Sequence, residues 1–453
     1  MTRLVSFRVV NLLGQFNHEA KFKPDAEFII LHGPNGVGKT RMLELLEAVF
    51  RFDLFAISDS YFESIALRFS GGENLVITNH ASRHPSEKRR RILDVTFSLS
   101  GGENFRQARG RIQLSGEEYP LAFWRDVQNE ISQTFEADAS PSAKLQALEH
   151  AGQAYMPARL RRPDSVHGLL DLSAFDRAIV EFLDNFQIHM VQTQRLLILD
   201  TSNDQRRRPA ERPPQRMKVS ECANDLSRRL AAALTENSRR SQELDKSFPR
   251  RVMDDMTMGQ VPSEEKIREE YAEQSELRNR LASIALLDES MDVPLQSEEL
   301  LPWQRKVLWT YLQDSQNKLA TFQDLLHRVE LFRSIISSRF LFKRLVISRE
   351  SGFRFTNDFG QVIAPSQLSS GEQHEIVLLY DLLFGVRSGS LVLIDEPEIS
   401  LHVAWQQEFM ADIQRIAKLS NLRFIVATHS PQIVNEWWAQ TIGLNASTSE
   451  GRA

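Results

Sequence analysis

Residues 27–50 read EFIILHGPNGVGKTRMLELLEAVF, and this stretch decides the fold. Its opening part, EFIILH, is apolar and runs into turn-forming residues, which predicts a buried strand. Its closing part, KTRMLELLEAVF, repeats apolar residues at helical spacing. Between them Gly33–Thr40 matches the pattern G-x-x-x-x-G-K-[ST]. A strand, a glycine-rich turn and a helix in this order predict a phosphate-binding loop.

The glycines of such a loop let backbone amides turn toward phosphate groups. Lys39 is expected to reach the β- and γ-phosphates of a nucleotide, and Thr40 to offer its hydroxyl to Mg²⁺. The loop residues predicted to contact the nucleotide are Gly33, Pro34, Asn35, Gly36, Val37, Gly38, Lys39, Thr40 and Arg41.

Two further apolar runs end in polar residues that suit phosphoryl transfer. LVLIDEPE, residues 391–398, predicts a buried strand that places Asp395 at Mg²⁺ and Glu396 beside the attacking water. FIVATHSPQIV, residues 424–434, predicts a second such strand that ends near His429. Contact of His429 with a γ-phosphate is favoured over a packing role, since ligands bind at the carboxyl ends of such strands. The predicted catalytic residues are Glu396, His429 and Lys39.

Length and composition indicate a broad class of protein. A chain of 453 residues with 42% hydrophobic and 25% charged residues is typical of soluble globular proteins with two or three domains. The net charge of −5 gives no overall cationic field for nucleic acid, and the basic clusters at 87–91, 159–162 and 206–216 favour solvated loops. The single Cys222 excludes an intramolecular disulfide and favours a packing or surface role. No secretory h-region and no run of about 18 apolar residues is found, so a cytoplasmic protein is expected.

The sequence patterns in the middle of the chain predict several kinds of structure. Short alternating segments between residues 61 and 120 predict antiparallel hairpins. FQIHMVQTQRLLILD, residues 186–200, predicts another buried strand, and the polar residues 200–216 predict a mobile loop. Two charged helical segments between residues 263 and 340, separated by MDVPLQSEELLP, predict an antiparallel helical arm. A hairpin is predicted after the arm, in FKRLVISRESGFRFTNDFGQVI.

Four motifs taken together carry a family resemblance. They are GPNGVGKT, LSSGEQ at residues 368–373, LIDEPEISLH at residues 393–402 and ATHSP at residues 427–431. The set resembles the ABC-type ATPase head shared by SMC proteins, RecF and the OLD-like ATPases. The resemblance implies an α/β P-loop NTPase with a mixed or parallel sheet, an antiparallel β subdomain and an inserted helical arm that forms a short antiparallel coiled coil. It also implies ATP and Mg²⁺ as cofactors.

The resemblance implies three segments. Residues 1–200 would form the first half of the head, 201–340 an insertion with a mobile loop and the helical arm, and 341–453 the second half of the head. Only about residues 1–55, 185–200 and 340–445 match in sequence motifs.

The resemblance also assigns residues outside the phosphate loop. Ser369, Ser370, Gly371 and Glu372 would form the signature, which lies at a helix N-terminus and completes the nucleotide site of a second subunit. A plain capping serine is the alternative. Gln194 would be the Q-loop residue at Mg²⁺, with Gln192 as the alternative. Ser400, Leu401 and His402 occupy the D-loop position across the dimer.

The size and layout of the chain indicate which members of this superfamily it resembles. The arm is short and has no Cys-x-x-Cys hook, and a Toprim domain after the head is not expected. The chain is similar to the stand-alone ATPases of bacterial anti-phage systems of the PARIS and Septu types. This implies an ATPase that yields ADP and phosphate, dimerises head-to-head around ATP or assembles further, and controls a separate nuclease or toxin effector in response to a phage trigger.

Two other functions stay open. A RecF- or SMC-like ATPase that binds DNA for repair or maintenance is the alternative, and the basic clusters are the features that favour it. A scaffold with very slow hydrolysis is the third.

Overall fold

The computed structural model describes residues 2–24, 26–80, 93–101, 107–114, 140–146, 175–191, 217–258, 262–288, 295, 299–399 and 401–444. The chain forms two compact units, one made of residues 1–193 and 386–453 and the other of residues 194–385. Residues 341–385 therefore lie with the helices of the second unit, whereas the division based on motifs grouped them with residues 386–453.

The regular elements share one numbering in chain order. They are β1 (Leu4–Leu12), β2 (Phe16–Lys21), β3 (Phe28–His32), α1 (Lys39–Phe50), α2 (Leu54–Asp59), β4 (Ser64–Phe69), β5 (Asn74–Asn79), β6 (Leu93–Ser100), β7 (Ala108–Leu114), α3 (Ala178–Asp184), β8 (Ile188–Val191), α4 (Lys218–Met258), α5 (Glu264–Ser283), α6 (Pro302–Leu319), α7 (Gln323–Arg339), β9 (Lys343–Ser348), β10 (Gly352–Asn357), β11 (Val362–Ile363), α8 (Ser370–Tyr380), β12 (Leu391–Asp395), α9 (Val403–Ser420), β13 (Arg423–Thr428), α10 (Pro431–Val434) and β14 (Thr441–Gly443).

A parallel sheet in the first unit carries the nucleotide motifs. Its strand order is β14–β3–β13–β12–β8, and every neighbouring pair is parallel. Strands β3, β12 and β13 are almost wholly buried, which explains their unbroken apolar sequences. Because the carboxyl ends of parallel strands share one edge, the residues that follow these three strands come together. The predicted α/β class is confirmed.

An antiparallel sheet in the same unit has the order β2–β1–β4–β5–β6–β7. The hairpins predicted between residues 61 and 120 are confirmed for strands β4 to β7, whose neighbours all pair antiparallel. Burial alternates along β4 and β5, as expected for strands with one face in the core. Phe50 and Phe69 pack edge to face in this core, at a centroid distance of 6.2 Å.

The second unit contains a helix that the sequence analysis did not assign. Helix α4 is 41 residues long and includes Pro249. Only its first part has regularly spaced buried apolar residues, such as Leu226 and Leu230. Farther on it is stabilised by charged pairs four residues apart, such as Arg239 with Glu243. Such a polar helix has little apolar periodicity to reveal it.

The helical arm is antiparallel, but its partners differ from those expected. Helix α4 runs against α6, since Asn237 contacts Lys318 and Arg251 pairs with Asp314 farther back along α6. Helices α5 and α6, the two segments visible in the sequence, run in the same direction. Gln274 donates to the Leu312 carbonyl at 2.9 Å, and Arg278 donates to Ser315 at 2.7 Å. The Leu300 amide, just before α6, donates to Glu264 at the start of α5 at 3.0 Å.

The hairpin predicted after the arm is confirmed as part of a small sheet with the order β11–β10–β9. Helix α8 follows this sheet. Its buried Glu375 forms an ion pair with the buried Arg339 at the end of α7. Cys222 is buried in α4, and burial raises the pKa of its thiol to about 12. Residues 87–91, 159–162 and 200–216 lie outside the described residues.

Candidate nucleotide-binding site

The phosphate loop joins β3 to α1 in the predicted way. Gly36 and Gly38 have φ angles of 83° and 93°, a backbone region that glycine enters at little cost. Gly38 is the N-cap residue of α1, so the first-turn amides of this helix follow directly after the loop. Such a helix N-terminus favours an anion. Of the other loop residues, Val37 is buried, and Arg41 is exposed and pairs with Glu44 at 2.8 Å.

Lys39 is buried at the centre of the site. Its Nζ donates to the carbonyls of Gly33 and Pro34 at 3.1 and 3.2 Å, and lies 2.5 Å from Nε2 of His429. Burial lowers the pKa of this amine, and the nearby carboxylates, Glu396 first, oppose that shift. The sheet thus brings the loop lysine and the strand-end histidine, 390 residues apart in sequence, into direct contact.

Asp395 and Thr40 form the candidate magnesium site. The two side chains are hydrogen-bonded to each other. Burial raises the pKa of Asp395, while the bond to Thr40 lowers it and the charge of Glu396 raises it further. A hydroxyl and a carboxylate are oxygen ligands of the kind that Mg²⁺ prefers, so the pair fits this ion. Gln194, the third predicted ligand, and its alternative Gln192 lie outside the described residues.

Glu396 is held in an unusual backbone conformation. Its φ is 46°, in the left-handed region that residues other than glycine seldom enter. Its amide donates to the carbonyl of Ala427 at 2.9 Å, and its Oε1 lies 3.6 Å from Nε2 of His429. Strain of this kind clusters at functional sites. The conformation carries the chain away from β12 and leaves the carboxylate next to His429.

Glu398 was not among the predicted site residues, yet it fixes the end of β13. One carboxylate oxygen accepts from the His429 amide at 2.6 Å, and the other accepts from the Thr428 hydroxyl at 2.9 Å. Thr428 is fully buried. The only sequence signal for this role is the second glutamate of LIDEPE, which the sequence analysis did not interpret.

Gln406 joins the D-loop segment to the segment after β13. Its side chain donates to the Leu401 carbonyl at 3.2 Å and accepts from the Ser430 hydroxyl at 2.6 Å. His402 is exposed and caps α9, where its Nδ1 accepts from the Ala404 amide at 3.3 Å. Ser400 lies outside the described residues.

The phosphate loop, the paired carboxylates after β12 and the histidine after β13 thus meet at the carboxyl edge of one parallel sheet. This is the arrangement expected of a P-loop nucleotide-binding site. Within the part of the chain that the structure describes, no cluster of three or more histidine, cysteine or acidic side chains forms a separate metal site. Nor does any helix in that part have the length and apolarity needed to cross a membrane.

The signature residues lie in the second unit, at the start of α8. Ser369 caps this helix and forms a capping box with Glu372, whose carboxylate also accepts from the Ser369 amide at 2.9 Å. Lys343 donates to both oxygens of Glu372, at 2.6 and 2.8 Å. Ser370 is exposed, and a side chain added at Gly371 would meet nothing within 4 Å. The first turn of the helix therefore presents an accessible surface.

Two sequence comparisons with known proteins found similarities over parts of the chain. A family described as "AAA domain, putative AbiEii toxin, Type IV TA system" matches residues 258–435. Over 89 aligned residues the chain is 36% identical to the "Retron Ec83 probable ATPase" of Escherichia coli. That alignment spans 17% of this chain and 16% of the retron protein, so the chain covers less than a fifth of that relative.

Among solved structures, SMC head domains are similar. One from Pyrococcus furiosus, with an extended coiled coil and bound to the C-terminal domain of ScpA, has a TM-score of 0.33 and 13% identity, with 99% of this chain and 95% of that chain covered. One from Thermotoga maritima has a TM-score of 0.32 and 11% identity, with 97% and 94% covered. These similarities are too weak to support a conclusion about this chain.

Proposed function

We propose that this protein hydrolyses ATP in a head-to-head dimer and that the ATP-bound dimer controls a separate effector in a defence system. One observation carries the proposal. Lys39, Asp395, Glu396 and His429 come from three separate segments of the chain and converge at one edge of the parallel sheet.

The first step is nucleotide binding. The amides of the loop and of the first turn of α1 would bind the phosphates. Lys39 would contact the β- and γ-phosphates, and His429 the γ-phosphate. Thr40 and Asp395 would hold Mg²⁺, which when bound neutralises charge on the phosphate oxygens.

The second step is hydrolysis, for which Glu396 is the candidate base. It would orient a water and accept its proton as the water oxygen bonds to the γ-phosphorus. The bond from that phosphorus to the β–γ bridging oxygen breaks, which leaves ADP and phosphate. His429, which lies 3.6 Å from the Glu396 carboxylate, would hold the same phosphate. Positioning of this kind is the main requirement of phosphoryl transfer.

The third element is the dimer. The exposed first turn of α8, with Ser370 and Gly371, is suited to a phosphate because helix N-termini attract anions. In the proposed dimer this turn, the D-loop residues Leu401 and His402, and the partner's phosphate loop would enclose each ATP. Hydrolysis would then release the two heads, and the population of closed dimers would set the signal.

The defence role is supported by similarity to the retron ATPase and to the AbiEii-type family. The effector would be a nuclease or toxin that is retained by one nucleotide state and released by another, with a phage protein as trigger. No observation on the described residues favours the DNA-maintenance alternative, because the basic clusters lie outside them.

The experiment uses the Glu396→Gln protein, which keeps the size and hydrogen bonding of this side chain but not a base. With ATP and Mg²⁺ it should stay dimeric, hydrolyse ATP roughly 10² to 10⁴ times more slowly, and retain a stoichiometric second protein from its own host. Lys39→Ala is the matched control: it should fail to bind ATP, and should therefore neither hydrolyse ATP, nor form an ATP-dependent dimer, nor retain the second protein. Normal turnover by the Glu396→Gln protein would contradict the mechanism. Nuclease-protected DNA with no second protein would contradict the effector role.

A further inference from the structure

Four large apolar side chains are exposed at one end of the small sheet in the second unit. They are Leu341 at 74%, Phe342 at 75%, Phe359 at 89% and Val362 at 58% exposure. Strand pairing sets Lys343 beside Asn357 and Val362 beside Thr356. The turn before β9, the β10–β11 turn and the start of β11 therefore lie at the same end of the sheet. We call these four residues the hairpin patch.

The backbone presents the hairpin patch in fixed conformations. Phe342 has a φ of 62°, a region that is strained for a bulky aromatic residue. In the β10–β11 turn the Asn357 side chain accepts from the amides of Phe359 and Gln361, at 3.1 and 2.9 Å. An ordered turn thus holds a phenyl ring almost entirely in water. Exposed apolar clusters of this kind mark interaction sites.

The hairpin patch continues into the signature surface. Lys343, the residue after Phe342, holds Glu372 in the first turn of α8. From Val362 the chain runs through β11 and a short 3₁₀ segment at Pro365–Gln367 to the cap residue Ser369. Because these connections are short, the patch borders the helix N-terminus that presents Ser370 and Gly371.

The first unit has exposed apolar side chains around the nucleotide site as well. Ile399 and Val403 follow the catalytic carboxylates and are 57% and 59% exposed. Trp438, 57% exposed, packs edge to face on His32 just before the phosphate loop. Leu13, 42% exposed, lies beside Gly38, where an added Cβ would be 3.6 Å from the leucine. We call these four residues the nucleotide-site rim.

We propose that the hairpin patch is covered by the nucleotide-site rim of a second copy of this chain in the ATP-bound dimer. This inference rests on the proposed function. Only in the proposed ATP-bound dimer does the signature of one copy approach the phosphate loop of the other. Apolar side chains border both halves of that composite site, and bringing them together removes both sets from water.

The test measures dimerisation in the Glu396→Gln background with ATP and Mg²⁺, by sedimentation velocity over a range of concentrations. Phe342→Asn and Phe359→Ser are combined, since asparagine tolerates the positive φ at residue 342. Trp303→Ser is the matched control, an aromatic residue 58% exposed on α6 of the same unit. ATP binding to monomers is measured for each variant with a fluorescent ATP analogue.

The double variant should raise the dissociation constant of the dimer about tenfold or more, with ATP binding by the monomer unchanged. Trp303→Ser should change that dissociation constant by less than about twofold. A double variant that dimerises as tightly as its parent would overturn this inference and leave the proposed dimer standing. If the Glu396→Gln parent itself forms no ATP-dependent dimer, the proposed function fails, and this inference fails with it.

Discussion

Oε1 of Glu398 accepts a hydrogen bond of 2.6 Å from the backbone amide of His429. The turn after β12 thus fixes the end of β13, and the strand of the catalytic carboxylates is tied to the strand of the histidine. Glu398 is half-buried, and both of its carboxylate oxygens accept hydrogen bonds from the end of β13. We infer that it positions His429 and does not itself contact the reacting phosphate.

The first prediction removes this anchor. Glu398→Ala leaves the His429 amide and the buried Thr428 hydroxyl without their acceptor. We expect kcat for ATP hydrolysis to fall, by up to about 10²-fold for a displacement near 1 Å, with little change in the KM for ATP. Steady-state hydrolysis assays check this. Glu398→Gln is the control, since it keeps one oxygen for the amide and should retain most of the activity. An alanine variant with normal kcat would show that His429 is held by other groups.

The candidate site residues could be located from the sequence because they follow apolar runs, directly or through the glycine-rich loop. A strand followed by Gly33–Thr40, or by Asp395 and Glu396, is a local pattern, and the parallel sheet then brings such ends together. Glu398 differs because its function depends on which strand lies beside β12. No spacing in the sequence specifies that β13 is this neighbour, so the contact could not be predicted.

The helical arm shows a second limit of the sequence. Two apolar-periodic segments separated by a break predict an antiparallel pair, yet α5 and α6 run in the same direction. The antiparallel partner of α6 is the polar helix α4. Charged pairs along a helix stabilise it without marking which face is buried. Tertiary contacts, such as that of Gln274 with Leu312, determine the relative direction of α5 and α6. The spacing of apolar residues in the sequence does not reveal such contacts.

The second prediction concerns the charge of Asp395. Burial raises the pKa of this carboxyl above its ordinary value, so its ionised form destabilises the folded state at neutral pH. Asp395→Asn should raise the free energy of unfolding at pH 7 and abolish Mg²⁺-dependent hydrolysis. The gain should shrink as the pH falls toward about 4, where the unfolded carboxyl also becomes protonated. Urea denaturation at several pH values checks this, and a loss of stability at pH 7 would contradict it.

The third prediction concerns the ion pair between Arg339 and Glu375. Both side chains are buried, at 4% and 1% exposure, and they join α7 to the helix that begins with the signature. Glu375→Leu should lower the free energy of unfolding by about 3 to 5 kcal/mol, because it leaves a buried guanidinium without its carboxylate. Combining it with Arg339→Met should recover most of the loss. Urea denaturation measures both, and a double variant no more stable than the single one would contradict this account.

The most direct test of the central claim, that two copies complete each nucleotide site, mixes two inactive variants. Glu396→Gln cannot hydrolyse its own ATP but keeps an intact signature. Ser370→Arg keeps its own phosphate loop and Glu396 but offers a blocked signature. In a mixed dimer one site joins the intact halves of both. Equal amounts, mixed before ATP is added, should therefore recover activity that neither variant has alone, up to about a quarter of the wild-type rate if half of the dimers are mixed and each has one working site of two. If both variants bind ATP and the mixture stays inactive, the site does not form between two copies.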